Sequence, residues 1–478
     1  MAFNSFNFWL IFPLVFIIFW LIPKRYVKAR NAYLILVSYA LYMNWKPAFA
    51  LVLLYVTLVT YYGARLVYPR TVTRRPLRLC VIITLLAAGP LVLFKYYNFV
   101  NDNITSLLSS AGLHFALPGL NWAIPVGISF FTFQALGYFF DVYRGRELPE
   151  KSLPDYMLFC SFFPQTASGP ISTTAELMPQ LKREVSFDYH QAIEGLRLVL
   201  WGLVLKCVVA DRLGLYVDTV MAHYEHFSSL NCFWAAILYT LQIYGDFAGY
   251  SLMAVGIAKT LGFNLTDNFR RPYFADSITE FWRRWHITLT RWLTTHVYIP
   301  LGGSRCSKTR QYANVMTTFL VSGLWHGANW TFIIWGSLHG CAQIAEKALG
   351  LDPKGKLSAH PAIRKFRPVR IIITFLIVTF AWIFFRMPTL ADAIAFIGRI
   401  FSGIPGGEFM EKASNTDRLL TLFAICLLFA AEARREYLSE RLSALDSPKA
   451  RWITCMSLFC ILLCMGVLDS GSFIYVNF

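Results

Sequence analysis

The chain has 478 residues, of which 56% are hydrophobic and 15% charged, and its formal net charge is +17. A soluble domain carries about a quarter charged residues, so this composition excludes an ordinary water-soluble enzyme. The positions of the basic residues also exclude a nucleic-acid-binding face, because they alternate with long uncharged runs.

The first such runs are Met1–Pro23, Asn31–Trp45, Pro47–Ala64 and Leu79–Phe94. A membrane-spanning helix needs roughly 17–25 mostly apolar residues. The shorter runs reach that length by including flanking Lys or Arg, whose stems can snorkel to the headgroups. Lys24, Arg25, Lys28 and Arg30 follow the first run, and Arg65, Arg70, Arg74, Arg75 and Arg78 follow the third. Only Lys46 separates the second from the third. This positive-inside pattern predicts basic loops in the cytoplasm and the N-terminus outside. The first run has no preceding basic residue and no small-residue cleavage site, which predicts an uncleaved anchor.

Asn103–Phe140 is too long for one element. Beyond it the texture changes: Phe163-Pro164, Ser168-Gly169-Pro170, Gly245–Gly249 and Pro300–Gly303 are expected to interrupt helix. Broken backbone at membrane depth is tolerated only under protein or around a water-filled cavity, so the middle of the chain is the expected functional part. The expected architecture is all-α, a polytopic protein of about ten to twelve crossings. It reads as one membrane domain over 1–478, with N-terminal spans in 1–155, a catalytic region in 156–346 and C-terminal spans in 347–478. The ten cysteines form no C-x-x-C pair and read as packing residues. Neither a metal nor a bound cofactor is expected.

Two segments carry candidate chemistry. In the first, Ser277 and Glu280 have capping-box spacing and predict a helix start. Trp282, Trp285, Leu289 and Trp292 then recur at helical spacing, with Arg283, Arg284 and Arg291 off that stripe. Such a face predicts an interfacial helix anchored on the bilayer, with His286 one turn after Trp282. Tyr298–Gly303 is expected to end it in a turn. Arg283 and Arg284 belong to a basic segment that could receive donor phosphates, although positive-inside topology accounts for the same charges.

The second segment is Ser322–Trp330, inside the uncharged run Gln311–Ala345. A histidine there is costly unless it has partners or water, which makes His326 a candidate. Read on a continuous helix, Asn329 and Trp330 share its face. On the same helix His339 falls over half a turn out of phase, and it is read as structural.

Phe281–Thr290, Tyr298–Gly303 and Gly323–Trp330 closely resemble the motifs of the membrane-bound O-acyltransferase (MBOAT) family, in its bacterial polysaccharide branch with the alginate O-acetyltransferases. Asp141–Arg144, Ser168–Ile171, Tyr244–Tyr250 and Phe384–Arg386 add weaker matches in family order. The resemblance implies a ring of tilted helices around a central funnel in the bacterial inner membrane. It implies His326 as general base on the attacking hydroxyl, a role that neutral imidazole suits. It also implies His286 as an orienting or proton-sharing residue, with Trp325 and Asn329 as substrate-binding candidates. The implied donor is acetyl-CoA and the implied acceptor an exported polysaccharide such as alginate, reached directly or through a periplasmic or membrane-tethered acetyltransferase partner. D-alanyl or peptidoglycan acyl transfer on the same fold is the alternative. A transporter without chemistry would be expected to show repeat symmetry between halves, and none is evident in the sequence.

Overall fold

A computed structural model describes residues 3–68, 76–113, 117–406, 408–437 and 447–467. The predicted cytoplasmic arginines Arg70, Arg74 and Arg75 lie outside the described residues. No β-strand occurs among the described residues. The chain packs as two units, residues 1–196 with 254–266, and residues 197–253 with 267–478.

The first unit opens with α1 (Phe6–Leu21), α2 (Val27–Met43) and α3 (Pro47–Val67). Next come α4 (Leu77–Leu91), α5 (Tyr97–Ser110) and α6 (Ile128–Tyr143). On α1 the residues Phe8, Phe12, Val15 and Phe19 are buried, while Leu10, Leu14, Ile17 and Leu21 are exposed. A helix apolar on both faces buries one against protein and presents the other to lipid. Then come α7 (Leu153–Ser161), the one-turn α8 (Phe163–Thr166) and α9 (Thr174–Lys182). The irregular stretch around Phe162, Gln165 and Ser168 is buried, which meets the requirement for broken backbone at membrane depth.

The two units share α10 (Tyr189–Leu203) and α12 (Ser229–Thr260), with α11 (Asp211–Ala222) between them in sequence. Contrary to the sequence expectation, α12 runs unbroken through Gly245–Gly249. Those glycines serve packing: a Cβ on Gly249 would stand 2.7 Å from the carbonyl oxygen of Gly202. Here the ammonium of Lys206 lies 2.7 Å from Asp211 and 2.6 Å from Asp246, so these buried charges are paired.

The rest of the second unit holds α13 (Ile278–Arg284), α14 (Ile287–Leu293), α15 (Lys308–His326) and α16 (Trp330–Leu349). It ends with α17 (Pro361–Lys365), α18 (Arg367–Arg386), α19 (Leu390–Phe401), α20 (Asn415–Tyr437) and α21 (Pro448–Met465). Four stretches among the described residues are long and apolar enough to cross a membrane: α3, α4 through α5, α18 and α21.

Ser277 caps α13 as expected, its side chain accepting from the Glu280 N–H. The expected helix through the tryptophan stripe, however, is broken. α13 ends at Arg284, and His286 adopts a left-handed conformation with φ 43°. Two long-range backbone bonds impose the break, Ile287 N–H to Asn268 O at 2.9 Å and Arg270 N–H to Arg284 O at 2.9 Å. Trp282, Trp285 and Leu289 are buried in the protein while Trp292 is half-buried, so the first three residues of the stripe are core and do not anchor the bilayer. Trp285 packs 5.1 Å from Trp382 and 5.5 Å from Phe281, centroid to centroid.

Candidate active site

α15 and α16 form a hairpin whose backbones touch. A Cβ on Gly323 would collide with the Phe332 carbonyl oxygen, and one on Gly336 with that of Phe319. The hairpin turns at Gly327–Asn329, and this corrects the continuous helix read from sequence. Asn329 caps α16, its side chain accepting from Thr331 N–H at 3.1 Å and donating to Pro388 O at 2.7 Å. It therefore does not share a helix face with His326, and Trp330 is exposed.

The turn leaves His326 as the last residue of α15, buried among three aromatic rings. Its ring centroid lies 4.8 Å from Trp325, 4.9 Å from Trp335 and 5.2 Å from Phe385. The ring of His286 also contacts Trp325, at 5.7 Å. The two motif histidines, distant in sequence, thus contact one indole. Trp335 is shared in the same way, with His339 at 5.1 Å from it. Sequence reasoning set His339 aside, and the helix stop at Gly327 with an Asn cap at 329 was the signal that could have brought it in.

His286 is fully buried. Its Nδ1 is 3.3 Å from Asn268 Oδ1, which also accepts from Thr288 Oγ at 2.7 Å. A non-glycine residue held in the left-handed region stores strain and is found where a side chain must be aimed. Asn268→Ala should therefore lower the acyl-transfer rate about 10-fold at normal abundance, while Asn268→Asp, which keeps the acceptor oxygen, should stay near wild type. Equal transfer rates for wild type and the Ala variant would show that Asn268 does not aim His286.

Beside these rings lies a cavity of about 220 Å³. Trp282, Phe319 and Leu293 give it apolar walls, and Thr290, Thr318 and Ser322 give it hydroxyls. Arg283, Gln343 and Lys347 also border it. Ser322 lies one turn before His326 on α15, so the cavity wall comes within a helix turn of the imidazole. Arg283 is exposed and pairs with Glu280 at 3.4 Å. Arg284 instead binds Glu280 at 2.9 Å and Glu436 at 3.2 Å, and Glu436 also holds Arg271 at 2.7 Å. Of the two arginines expected at a donor site, Arg283 borders the cavity and Arg284 ties α13 to α20.

Residues 147–390 match the model of the membrane-bound O-acyltransferase family. The chain is 36% identical over 455 residues to the "Probable alginate O-acetylase AlgI" of Pseudomonas aeruginosa, covering 94% of this chain and 84% of that protein. It is 32% identical to the peptidoglycan O-acetyltransferase of Helicobacter pylori, over 93% of this chain and 91% of that one. A teichoic acid D-alanyltransferase of Bacillus subtilis is 26% identical over 54% of this chain and 68% of its own.

Proposed function

This chain belongs to the membrane-bound O-acyltransferase family and is an O-acyltransferase, and we propose that it carries an acetyl group from acetyl-CoA to an exported polysaccharide across the bacterial inner membrane. The observation that carries this reading is the pair of buried motif histidines that both contact Trp325, near a cavity bordered by Arg283 and Lys347. The cations suit a donor's phosphates. The hydroxyl-bearing and aromatic walls suit its amide-containing arm and thioester.

In the proposed step His326 takes the proton of the attacking hydroxyl. The oxygen bonds to the acyl carbon, the carbon–sulfur bond breaks, and the thiolate recovers the proton from the imidazolium. His286 orients the reactants. Delivery through a periplasmic or membrane-tethered acetyltransferase partner is part of the same reading. Alginate is the proposed acceptor, because the match to the alginate O-acetylases is the stronger one. Peptidoglycan is the second reading, favoured by the end-to-end match to the Helicobacter pylori enzyme.

Inverted membrane vesicles given labelled acetyl-CoA outside should release free CoA thiol and accumulate label on a lumenal acceptor. Supplying alginate or peptidoglycan fragments in the lumen then separates the two acceptors. Vesicles that transport glycan or lipid without releasing CoA thiol would overturn the reading.

A further inference from the structure

The proposed chemistry leaves one buried histidine among the described residues without a task. His339 is 1% exposed and sits in α16 among Phe281, Trp282, Phe319, Trp335 and Trp382. Its Nδ1 accepts the indole N–H of Trp282 at 3.2 Å. An indole nitrogen only donates, so Nδ1 must carry a lone pair and the imidazole proton must reside on Nε2. That Nε2 is buried and has no hydrogen-bond partner among the described residues. A buried donor left unsatisfied is a cost that a phenylalanine or leucine would avoid. Packing alone therefore does not explain a histidine here.

What the residue does make is the bond to Trp282, and Trp282 is a wall of the cavity. The indole stands in T-shaped contact with Phe319 at 5.3 Å and with Trp335 at 5.7 Å. Apolar contacts of this kind hold an indole against the wall but do not fix which way its N–H edge points. The bond to His339 does fix it, and with it the width of the cavity at that wall. α13, which carries Trp282, is seven residues long and ends in the strained turn at His286, so its own helical bonds hold the ring weakly.

We propose that His339 is a positioning residue for the acyl donor, holding the Trp282 ring in place as a wall of the donor cavity. This rests on the reading of that cavity as the acetyl-CoA site. Its consequences are specific to an acceptor atom at Nδ1. His339→Phe keeps a ring of similar size and loses the acceptor. His339→Asn places a carbonyl oxygen near the position of Nδ1 and restores it.

The experiment measures acetyl transfer against acetyl-CoA concentration in reconstituted vesicles, with detergent melting as the check on folding. His339→Phe should raise the KM for acetyl-CoA about 10-fold while kcat stays within about threefold. His339→Asn should return KM to within about threefold of wild type. Trp282→Phe, which removes the donor side of the bond, should show the same rise, and adding His339→Phe to it should change nothing more. If His339→Phe does not accumulate, the Trp282→Phe and His339→Asn variants still read the contact from both ends. An Asn variant as impaired as the Phe variant, a loss confined to kcat, or additive effects in the double variant would overturn the proposal. A wild type that saturates with acetyl-CoA but tolerates His339→Phe sinks this inference alone. A wild type that never consumes acetyl-CoA sinks the donor reading and this role with it.

Discussion

Replacing His326 with Gln should abolish measurable acetyl transfer while leaving the protein at normal abundance in the membrane. Glutamine keeps a polar, hydrogen-bonding side chain of similar reach but cannot take a proton near neutral pH. General-base contributions are typically about 10²–10⁴-fold, and the loss should fall in kcat. His326→Ala should lose the same activity but also some stability, because it leaves part of the aromatic enclosure of His326 empty. Near-native transfer by the Gln variant at equal abundance would make His326 a structural hydrogen-bonder and remove the mechanism.

The second large effect concerns folding. Gly323→Val should prevent normal accumulation of the protein, and Gly336→Val should do the same. At both positions the atom a Cβ would strike is a backbone carbonyl oxygen of the facing helix, Phe332 O or Phe319 O. A flexible side chain could swing aside, but a helix backbone can only move as a unit. Overpacking costs about 1–3 kcal/mol per site, and here it also displaces the end of α15 that carries His326. Gly398 on α19 provides the control, because a Cβ there meets nothing within 4 Å. Gly398→Ala should leave melting unchanged or raise it, since alanine is the better helix former by about 1 kcal/mol. Normal melting of Gly323→Val in detergent would mean that α15 and α16 separate more easily than their contact implies.

Much of this was legible from residue order. The Ser277 cap and the turn at Tyr298–Gly303 both follow from local signals. The motif resemblance singled out His286 and His326, and in the structure both contact Trp325. What was not legible depended on partners far away in the chain. The tryptophan stripe read as one interfacial helix because Trp282, Trp285 and Trp292 keep helical spacing. The break at His286 is set by Asn268 and Arg270, which no window around the stripe contains. Likewise Gly245 and Gly249 read as helix interrupters, and their use in close packing against Gly202 and Leu205 appears only in three dimensions. His339 was lost for a different reason. The periodicity was carried through Gly327–Asn329, where the chain turns back and brings His339 and His326 to the same indole.

That turn also bears on the order in which the site can assemble. His326, Trp335 and His339 lie on one helical hairpin, close together in sequence, so joining them closes only a short loop. His286 and Trp282 reach the same rings from the preceding helices, and closing longer loops carries a larger entropic cost. With α15 and α16 in contact at Gly323 and Gly336, His326 and its aromatic enclosure are already in register. On this argument α13 and α14 would dock onto a surface that exists beforehand, and the proposed general base would be in place before the proposed orienting residue.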